Sequence, residues 1–220
     1  VPDKPVLQAG SIVATVGGLT GEARARVTPR LPWKEGFDSY ADGVIPPGWV
    51  STAPARLVVA TLDGQKVLHK EPLDTLFKRA RTFIGPANWS NYTFEADVRA
   101  AERRRQMGDV GVTAQRYSLV LYGTAQRLKL EPWEPETTRT VSVPFAWKPD
   151  TWYRLKLRVE NLPNGQVRAQ GKAWAVGEPE PAKWLIDKMD PIGNREGAPG
   201  LFIDAQFGVH LDNFVLTPNQ

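Results

Sequence analysis

Residues 151–174, TWYRLKLRVENLPNGQVRAQGKAW, contain the pattern that decides the fold. On both sides of Asn164-Gly165, apolar and polar side chains alternate with a period of two, which is the period of a β-strand that buries one face. The Asn-Gly pair favours a tight hairpin turn, because both residues readily adopt positive φ angles. The stretch therefore predicts a long antiparallel hairpin.

Short apolar runs of the same kind recur along the rest of the chain at intervals of roughly ten residues. They include SIVATV, YTFEADVR, VGVTA, YSLVLY and RLKLE, and turn residues separate them, since the 220 residues contain 19 Gly and 19 Pro. This spacing is typical of an all-β sandwich or barrel. Only LDTLFKRA, residues 73–80, is compatible with two turns of helix.

The first thirty residues show a pattern that sets them apart from the remainder of the chain. SIVATV and GEARARV flank Gly17-Gly18, and Ala23, Ala25 and Val27 share one face, so this region predicts a β-hairpin exposed on one side. A hairpin alone is marginal in water. It must pack on the following domain or end a domain that lies upstream in a longer parent. We therefore divide the chain into a hairpin, residues 1–30, and a sandwich, residues 31–220.

Composition excludes several chemistries. The chain has no Cys, which excludes disulfides, thiolate zinc sites and Cys nucleophiles, and its two His, His69 and His210, give little material for a Ser-His-Asp triad. The Arg103–Arg105 run is isolated in a chain of net charge +4, so we expect no nucleic-acid partner. No apolar run approaches the ~18 residues of a membrane span. The N-terminus has neither an initiator Met nor a signal-peptide core, which indicates an excised or processed chain.

Six short motifs, taken in order, resemble a known architecture. They are GFDSY (36–40), PGW (47–49), NWSNY (88–92), GDVG (108–111), DTWYR (150–154) and LDNF (211–214). The series resembles the concanavalin A-like (laminin-G-like) jelly roll over about residues 33–217. It is most similar to the version at the C-terminus of secreted bacterial pyrroloquinoline-quinone-type β-propeller repeat proteins, where an Ig-like segment precedes it.

The resemblance implies an all-β, concanavalin A-like jelly-roll sandwich preceded by the N-terminal hairpin, and an extracellular or periplasmic location. Ligands of this fold lie on the concave sheet or its rim loops, but the fold serves both binding modules and enzymes. Related glucanases need a Glu-x-Asp-x-x-Glu strand. Here Glu95 and Asp97 are followed by Ala100, and the alternation places Phe94, Ala96 and Val98 inward with both carboxylates outward.

Four residues are the predicted ligand site. Trp133 and Trp174 lie among Pro and Glu, where an exposed indole suits the C–H face of a sugar. Alternation in QRYSLVLYG places Arg116 and Tyr122 on one face of a central strand, opposite Tyr117. We predict that this face points to the ligand. The alternative is that the two indoles cover the ends of the sandwich under Pro-rich loops.

The resemblance also implies a structural calcium ion near the ends of the sandwich. Asp38 in GFDSY and Asp212 in HLDNF match the carboxylates that hold it. Calcium takes six to eight oxygen ligands, so backbone carbonyls and water would have to complete the shell. The alternative is that both Asp residues cap turns.

These observations favour a non-catalytic glycan-binding or assembly module of a secreted bacterial protein, with polysaccharide as partner. The first alternative is a glycoside hydrolase or lyase of the same fold. The second is a structural subunit that binds other protein subunits of a larger complex. An inward-facing carboxylate pair on the concave sheet would favour the enzyme, and a flat apolar patch would favour the subunit.

Overall fold

The computed structural model describes residues 7–52, 57–72, 79–134 and 136–219. Strands are the main regular structure in these residues, and the only helix among them is a single 3₁₀ turn at Thr137–Arg139. The predicted all-β sandwich is confirmed. The helical turns predicted at residues 73–80 lie mostly outside the described residues. No helix in the described part of the chain is long and apolar enough to cross a membrane.

The described residues form nineteen strands. In chain order they are β1 (Gln8–Val16), β2 (Leu19–Val27), β3 (Trp33–Glu35), β4 (Val50–Ser51), β5 (Leu57–Leu62), β6 (Gln65–Lys70), β7 (Arg79–Phe83), β8 (Tyr92–Ala100), β9 (Glu102–Arg103), β10 (Gln106–Met107), β11 (Asp109–Ala114), β12 (Tyr117–Tyr122), β13 (Arg127–Pro132), β14 (Val141–Pro144), β15 (Tyr153–Asn161), β16 (Val167–Ala175), β17 (Ile186–Asp190), β18 (Gly200–Asp204) and β19 (Val209–Pro218).

Within the described residues, two large antiparallel sheets face each other. The seven-stranded sheet has the order β14-β13-β12-β11-β18-β7-β4. The eight-stranded sheet has the order β17-β16-β15-β8-β19-β6-β5, and β3 also pairs with β19. Strand β19 therefore pairs with β8 along one edge and with β6 and β3 along the other, with a register shift between Asp212 and Val215.

The core lies between the two sheets and follows the period-two pattern. Val110 and Val112 of β11 and Leu119 and Leu121 of β12 point inward from the seven-stranded sheet and are fully buried. From the eight-stranded sheet, β8 contributes Phe94, Ala96 and Val98, as their alternation predicts. Burial of these branched and aromatic side chains is the main stabilising contribution to the sandwich.

The hairpin predicted at residues 151–174 is confirmed as β15 and β16. Tyr153 to Asn161 pair antiparallel with Ala175 to Val167. Leu162 N–H donates to the Gln166 carbonyl at 2.8 Å, and Gly165 adopts a φ of 86° in the turn between them. The first strand ends at Asn161 and the return begins at Val167, and of the Asn-Gly pair only Gly165 adopts the left-handed conformation that the turn requires.

The N-terminal hairpin consists of β1 and β2, joined by Gly17-Gly18. Apart from half-buried Gln8, every residue of both strands is exposed, on both faces of the hairpin. The hairpin therefore buries neither face against the sandwich, which disagrees with the first of the two predicted placements, packing on the following domain. Leu7, immediately before β1, is by contrast only 4% exposed and packs in the core.

Candidate functional site

The outer face of the seven-stranded sheet carries a dense set of aromatic and charged side chains. Alternation along β7, β18, β12 and β13 turns one residue in two away from the core. The outward residues of these strands are Arg79, Arg81, Phe83, Gly200, Phe202, Asp204, Ser118, Val120, Tyr122, Arg127, Lys129 and Glu131. Cations outnumber carboxylates in this set.

Arg81 of β7 and Trp133, which follows β13, form the centre of a cluster of aromatic rings and cations on this face. The guanidinium carbon of Arg81 lies 4.7 Å from the Trp133 ring centroid and 5.0 Å from that of Phe202, which are distances for cation–π attraction. The Phe83 ring lies 5.9 Å from Trp133. Burial, followed by the charge of Arg79, lowers the pKa of Arg81. A bound anion would relieve this crowding of cations.

Next to this centre lies a groove of about 690 Å³. Trp133 and Phe83 line it together with small apolar loop residues, and Arg26 of β2 and Arg116 also reach it. Trp133 keeps 42% of its surface exposed. No acidic residue lines the groove in the described part of the chain. The groove therefore combines an exposed indole with two cations, a combination that suits an anionic sugar chain.

Arg116 lies in the turn between β11 and β12, so the prediction that it shares a strand face with Tyr122 is wrong. Gln115 and Arg116 have left-handed φ angles of 45° and 66°. The Gln115 side chain fixes this turn: its amide donates to Asn161 Oδ1 at 3.0 Å and its carbonyl accepts from Asn91 N–H at 2.5 Å. The turn directs Arg116 to the groove, which keeps it among the candidate ligand contacts.

Tyr122 lies on the outer face, as predicted, but at a second cavity of about 290 Å³ that Asp109 and Asp204 also line. Its hydroxyl donates to Glu131 Oε1 at 3.3 Å, and Lys129 Nζ lies 2.7 Å from Glu131 Oε2 and 5.3 Å from the Tyr122 ring centroid. Burial, followed by the charges of Glu131 and Asp109, raises the pKa of Tyr122. The phenol is therefore a proton donor at neutral pH.

Trp174 lies away from the other three predicted residues. It is part of β16, opposite Arg154 of β15, in the eight-stranded sheet. The predicted grouping of Trp133 and Trp174 in one ligand site is therefore wrong. Sequence reasoning also missed Arg81 and Phe83, although RARTF alternates and the two residues share a face.

The Glu95 and Asp97 carboxylates lie on the outer face of the eight-stranded sheet and are both paired with cations. Lys156 Nζ lies 3.3 Å from Glu95 Oε1. Arg154 donates to both oxygens of Asp97, at 2.7 and 2.8 Å. Both residues point outward, as their alternation predicts, and Asp97 is bound in a bidentate ion pair rather than open to a substrate.

The two histidines also lie in the eight-stranded sheet, opposite each other on β6 and β19. The rings of His69 and His210 stack with their centroids 4.6 Å apart. Burial lowers the pKa of both side chains, and the neighbouring His69 and Arg99 help to lower that of His210 to about 4. Both imidazoles are therefore neutral at pH 7 and pack as rings.

The donor set around the predicted calcium site fits the ion poorly. Asp38 is exposed and Asp212 is buried, and the described residues contain no group of three or more Asp, Glu, His or Cys side chains placed to hold a metal ion. Burial, followed by the charges of Asp97, Asp38 and Glu35, raises the pKa of Asp212 to about 6. The Asp38 and Asp212 carboxylates are thus near one another. Two Asp side chains, however, supply only a minority of the six or more oxygen ligands that calcium requires.

Asp212→Asn should stabilise the protein at neutral pH. The folded pKa of about 6 lies above the ordinary value of 3.8, so ionising Asp212 costs free energy as the pH rises through this range. We expect the free energy of unfolding of the variant to exceed that of the wild type by about 2 kcal/mol at pH 7.5. At pH 3.5 the two values should differ little. Denaturation in guanidinium at both pH values measures this.

Calcium provides the control for this variant. Added calcium should leave the melting temperature of the wild type unchanged if Asp212 is only a buried acid. A calcium-dependent rise that Asp212→Asn abolishes would contradict this and support the ion predicted from the sequence.

No protein-family model and no curated protein matches the chain. Solved structures are similar in fold. A mutant of the alginate lyase Aly36B, in complex with alginate tetrasaccharide, has a TM-score of 0.57 and 12% identity over 85% of this chain and 96% of its own. The PL-14 alginate lyase from Aplysia kurodai has a TM-score of 0.54 and 11% identity over 77% of this chain and 90% of its own. A putative β-glucanase from Mycobacterium abscessus has a TM-score of 0.54 and 12% identity over 84% of this chain and 98% of its own.

Proposed function

We propose that this chain is a carbohydrate-binding module that takes an anionic polysaccharide on the outer face of its seven-stranded sheet. The observation that carries the proposal is the groove in which an exposed Trp133 lies beside Arg26, Arg116 and the stacked Arg81. Structures of similar fold include an alginate lyase in complex with an alginate tetrasaccharide, which supports a role with carbohydrate.

Each part of the groove has a role in this proposal. The Trp133 indole stacks on the apolar face of a sugar ring, while the small apolar residues of the wall exclude water from that contact. The Arg26 and Arg116 guanidinium groups hold carboxylate or sulfate groups, because their planar donors match such anions in pairs. A neutral glycan would leave these cations without partners.

An open groove of this kind binds modestly. It covers one side of a sugar chain, so the buried area per sugar is small and the cost of ordering the chain remains. Such a module acts within a larger protein or assembly. We also propose the extracellular or periplasmic location that a polysaccharide ligand fits, in a secreted bacterial protein.

Trp133→Ala should weaken binding to an acidic polysaccharide such as alginate at least fivefold, a loss of about 1 kcal/mol. Trp174→Ala is the matched control, because it removes the same ring from the opposite sheet and should leave binding unchanged. Calorimetry with both variants, at low and at high salt, measures the effect. Binding by the wild type should weaken as salt rises, since Arg26 and Arg116 act through charge.

The proposal fails if the wild type binds no member of a panel of acidic and neutral polysaccharides, or if both Trp variants lose binding equally. Thermal unfolding of each variant serves as the folding control. A loss of about 3 kcal/mol or more in stability for Trp133→Ala would place its ring in the core instead.

A polysaccharide lyase is the second candidate function, and Tyr122 is the observation that favours it. Its protonated phenol, held by Glu131 beside Lys129, has the chemistry of a general acid that donates to a departing sugar oxygen. In this elimination the proton next to the uronic acid carboxylate passes to a base, for which Glu131 is the neighbouring carboxylate, and the C–O bond to the departing sugar breaks. The C=C bond that results absorbs in the ultraviolet. Growth of this absorbance with the wild type, and its absence with Tyr122→Phe, would establish the enzyme.

A further inference from the structure

The short ribbon of β9 and β10 ends in a turn that consists of two consecutive arginines. Arg103 pairs with Gln106, so Arg104 and Arg105 alone form the turn, and we call Arg103–Arg105 the arginine tip. The φ angles of Arg104 and Arg105 are 52° and 63°, both in the left-handed region. A two-residue hairpin turn of this kind favours Asn-Gly, and left-handed backbone costs free energy at a residue with a long side chain. The turn is therefore built from residues that do not suit its backbone.

The charges of the arginine tip are open to solvent. All three side chains are exposed. Within the part of the chain that the structure describes, the side chains of Arg104 and Arg105 form no hydrogen bond or ion pair, and the Arg103 guanidinium carbon lies 5.9 Å from the Phe207 ring centroid. Because a strained backbone holds cations that have no partner in this part of the protein, the tip indicates an anionic ligand.

The arginine tip and the groove lie at opposite ends of the outer face of the seven-stranded sheet. Gln106 and Phe207, which adjoin the tip, line the second cavity, of about 290 Å³. Along β7, Phe83 lies at the groove, whereas Arg79 at the other end of the strand is paired with Asp204 of that cavity. Since a strand rises about 3.3 Å per residue, the two ends of β7 are about 13 Å apart. The tip lies beyond the cavity end.

Guanidinium groups recur between these two ends. Arg26 and Arg116 line the groove. Arg81 and Arg79 follow along the outward side of β7, with their guanidinium carbons 5.0 and 5.6 Å from the Phe202 ring centroid. The arginine tip continues this series past the cavity. A long anionic polymer matches cations spaced along a whole face, whereas a small anion would meet only one or two of them.

We propose that the arginine tip is a second contact for an acidic polysaccharide, and that one chain crosses the outer face from the groove to the tip. This inference rests on the proposed function and adds a length requirement to it. A long chain reaches both contacts and gains affinity, because the second contact forms within a complex that already exists. Nucleic acid fits less well, since the ring beside the tip, Phe207, already has the Arg103 guanidinium over it.

The double variant Arg104→Asn with Arg105→Gly separates this role from a structural one. Asn-Gly suits the left-handed turn, so the variant should melt about 2 to 4 °C higher than the wild type. It should nevertheless bind polymeric alginate about fivefold more weakly, or worse, at low salt. Its affinity for an alginate trisaccharide, which is too short to occupy the groove and also reach the tip, should stay that of the wild type. Calorimetry with both ligands and thermal unfolding measure these effects.

The double variant Lys34→Gln with Lys183→Gln is the matched control. It also removes two exposed positive charges, one from β3 of the eight-stranded sheet and one from the connection between β16 and β17. It should bind polymeric alginate like the wild type. Equal weakening by the two double variants would overturn the inference, because net charge alone would then explain the loss.

Trp133→Ala distinguishes failure of this inference from failure of the proposed function. It should weaken binding of both the polymer and the trisaccharide, since both occupy the groove. If it does so while Arg104→Asn with Arg105→Gly leaves polymer binding unchanged, the groove stands and the tip contact is overturned. A lower melting temperature of the tip variant would show that the arginines serve the turn and would also overturn it. Tighter binding of single-stranded DNA than of alginate, lost in the tip variant, would overturn the choice of polysaccharide.

Discussion

Arg139→Met lowers the free energy of unfolding by about 3 to 5 kcal/mol, because it leaves Asp190 without its cationic partner inside the protein. Asp190 is fully buried, and its Oδ2 accepts from Tyr117 Oη at 2.6 Å and from Arg139 Nε at 2.9 Å. Burial alone would raise the pKa of Asp190, but the hydrogen bonds from Tyr117 and Arg139 outweigh it and hold the pKa below its ordinary value.

The Arg168–Asp187 pair supplies the matched control for this experiment. It joins β16 to the edge strand β17 in the sheet that contains Asp190, but its two side chains are about 40% exposed to water. Arg168→Met should therefore cost less than about 1 kcal/mol. In the double variant Arg139→Met with Asp190→Asn, part of the lost stability should return, because no buried charge remains. Equal effects of the two single Arg variants in guanidinium denaturation would contradict the argument.

Gly123→Ala should destabilise the protein by about 3 kcal/mol, through overpacking rather than loss of a contact. A Cβ atom on Gly123 would collide with the carbonyl oxygens of both Gly108 and Met107, and backbone cannot move aside as a side chain can. The same residue is fixed on its other side, since its N–H donates to Asp109 Oδ1 at 2.9 Å. Guanidinium denaturation measures the loss.

Gly21→Ala is the control for Gly123→Ala. Gly21 has no atom within 4 Å of the position that a Cβ would occupy, so the change should stay within about 0.5 kcal/mol at dilute protein. An equally small effect of Gly123→Ala would mean that the β12–β13 turn can move to accept the added methyl group. The close approach of Gly123 to Met107 would then make no difference to the free energy of unfolding.

Alternation along the chain was sufficient to predict the strands and most inward faces, because the pattern is local. Phe94, Ala96 and Val98 face the core as expected for that reason. Arg116 was misplaced because alternation gives no sign of where a strand stops, and left-handed φ angles at two non-glycine residues end β11 there. RTFIG, residues 81–85, is itself one of the runs that predict a strand, but alternation does not show which outward side chain belongs to a site, and Arg81 was missed for that reason.

The composition of the candidate site depended on pairings that no local pattern encodes. Trp133 and Trp174 have similar neighbours in the sequence, yet strand order places them at different sheets. The same limit applies to Arg139 and Asp190, whose side chains meet across 51 positions of the chain. Trp133 follows β13 and Asp190 ends β17, so the positions of both depend on how these strands pair with distant parts of the chain.

The position of β19 has a consequence for the order in which the protein matures during synthesis. Residues 209–218 join β8 on one side to β6 and β3 on the other, so these earlier strands leave the ribosome before the strand that separates them exists. Until then β6 and β8 expose unpaired edges that are prone to pair with other chains. The eight-stranded sheet therefore closes only after residue 218 is free, and a nascent chain halted before β19 is the form most exposed to aggregation and to chaperones.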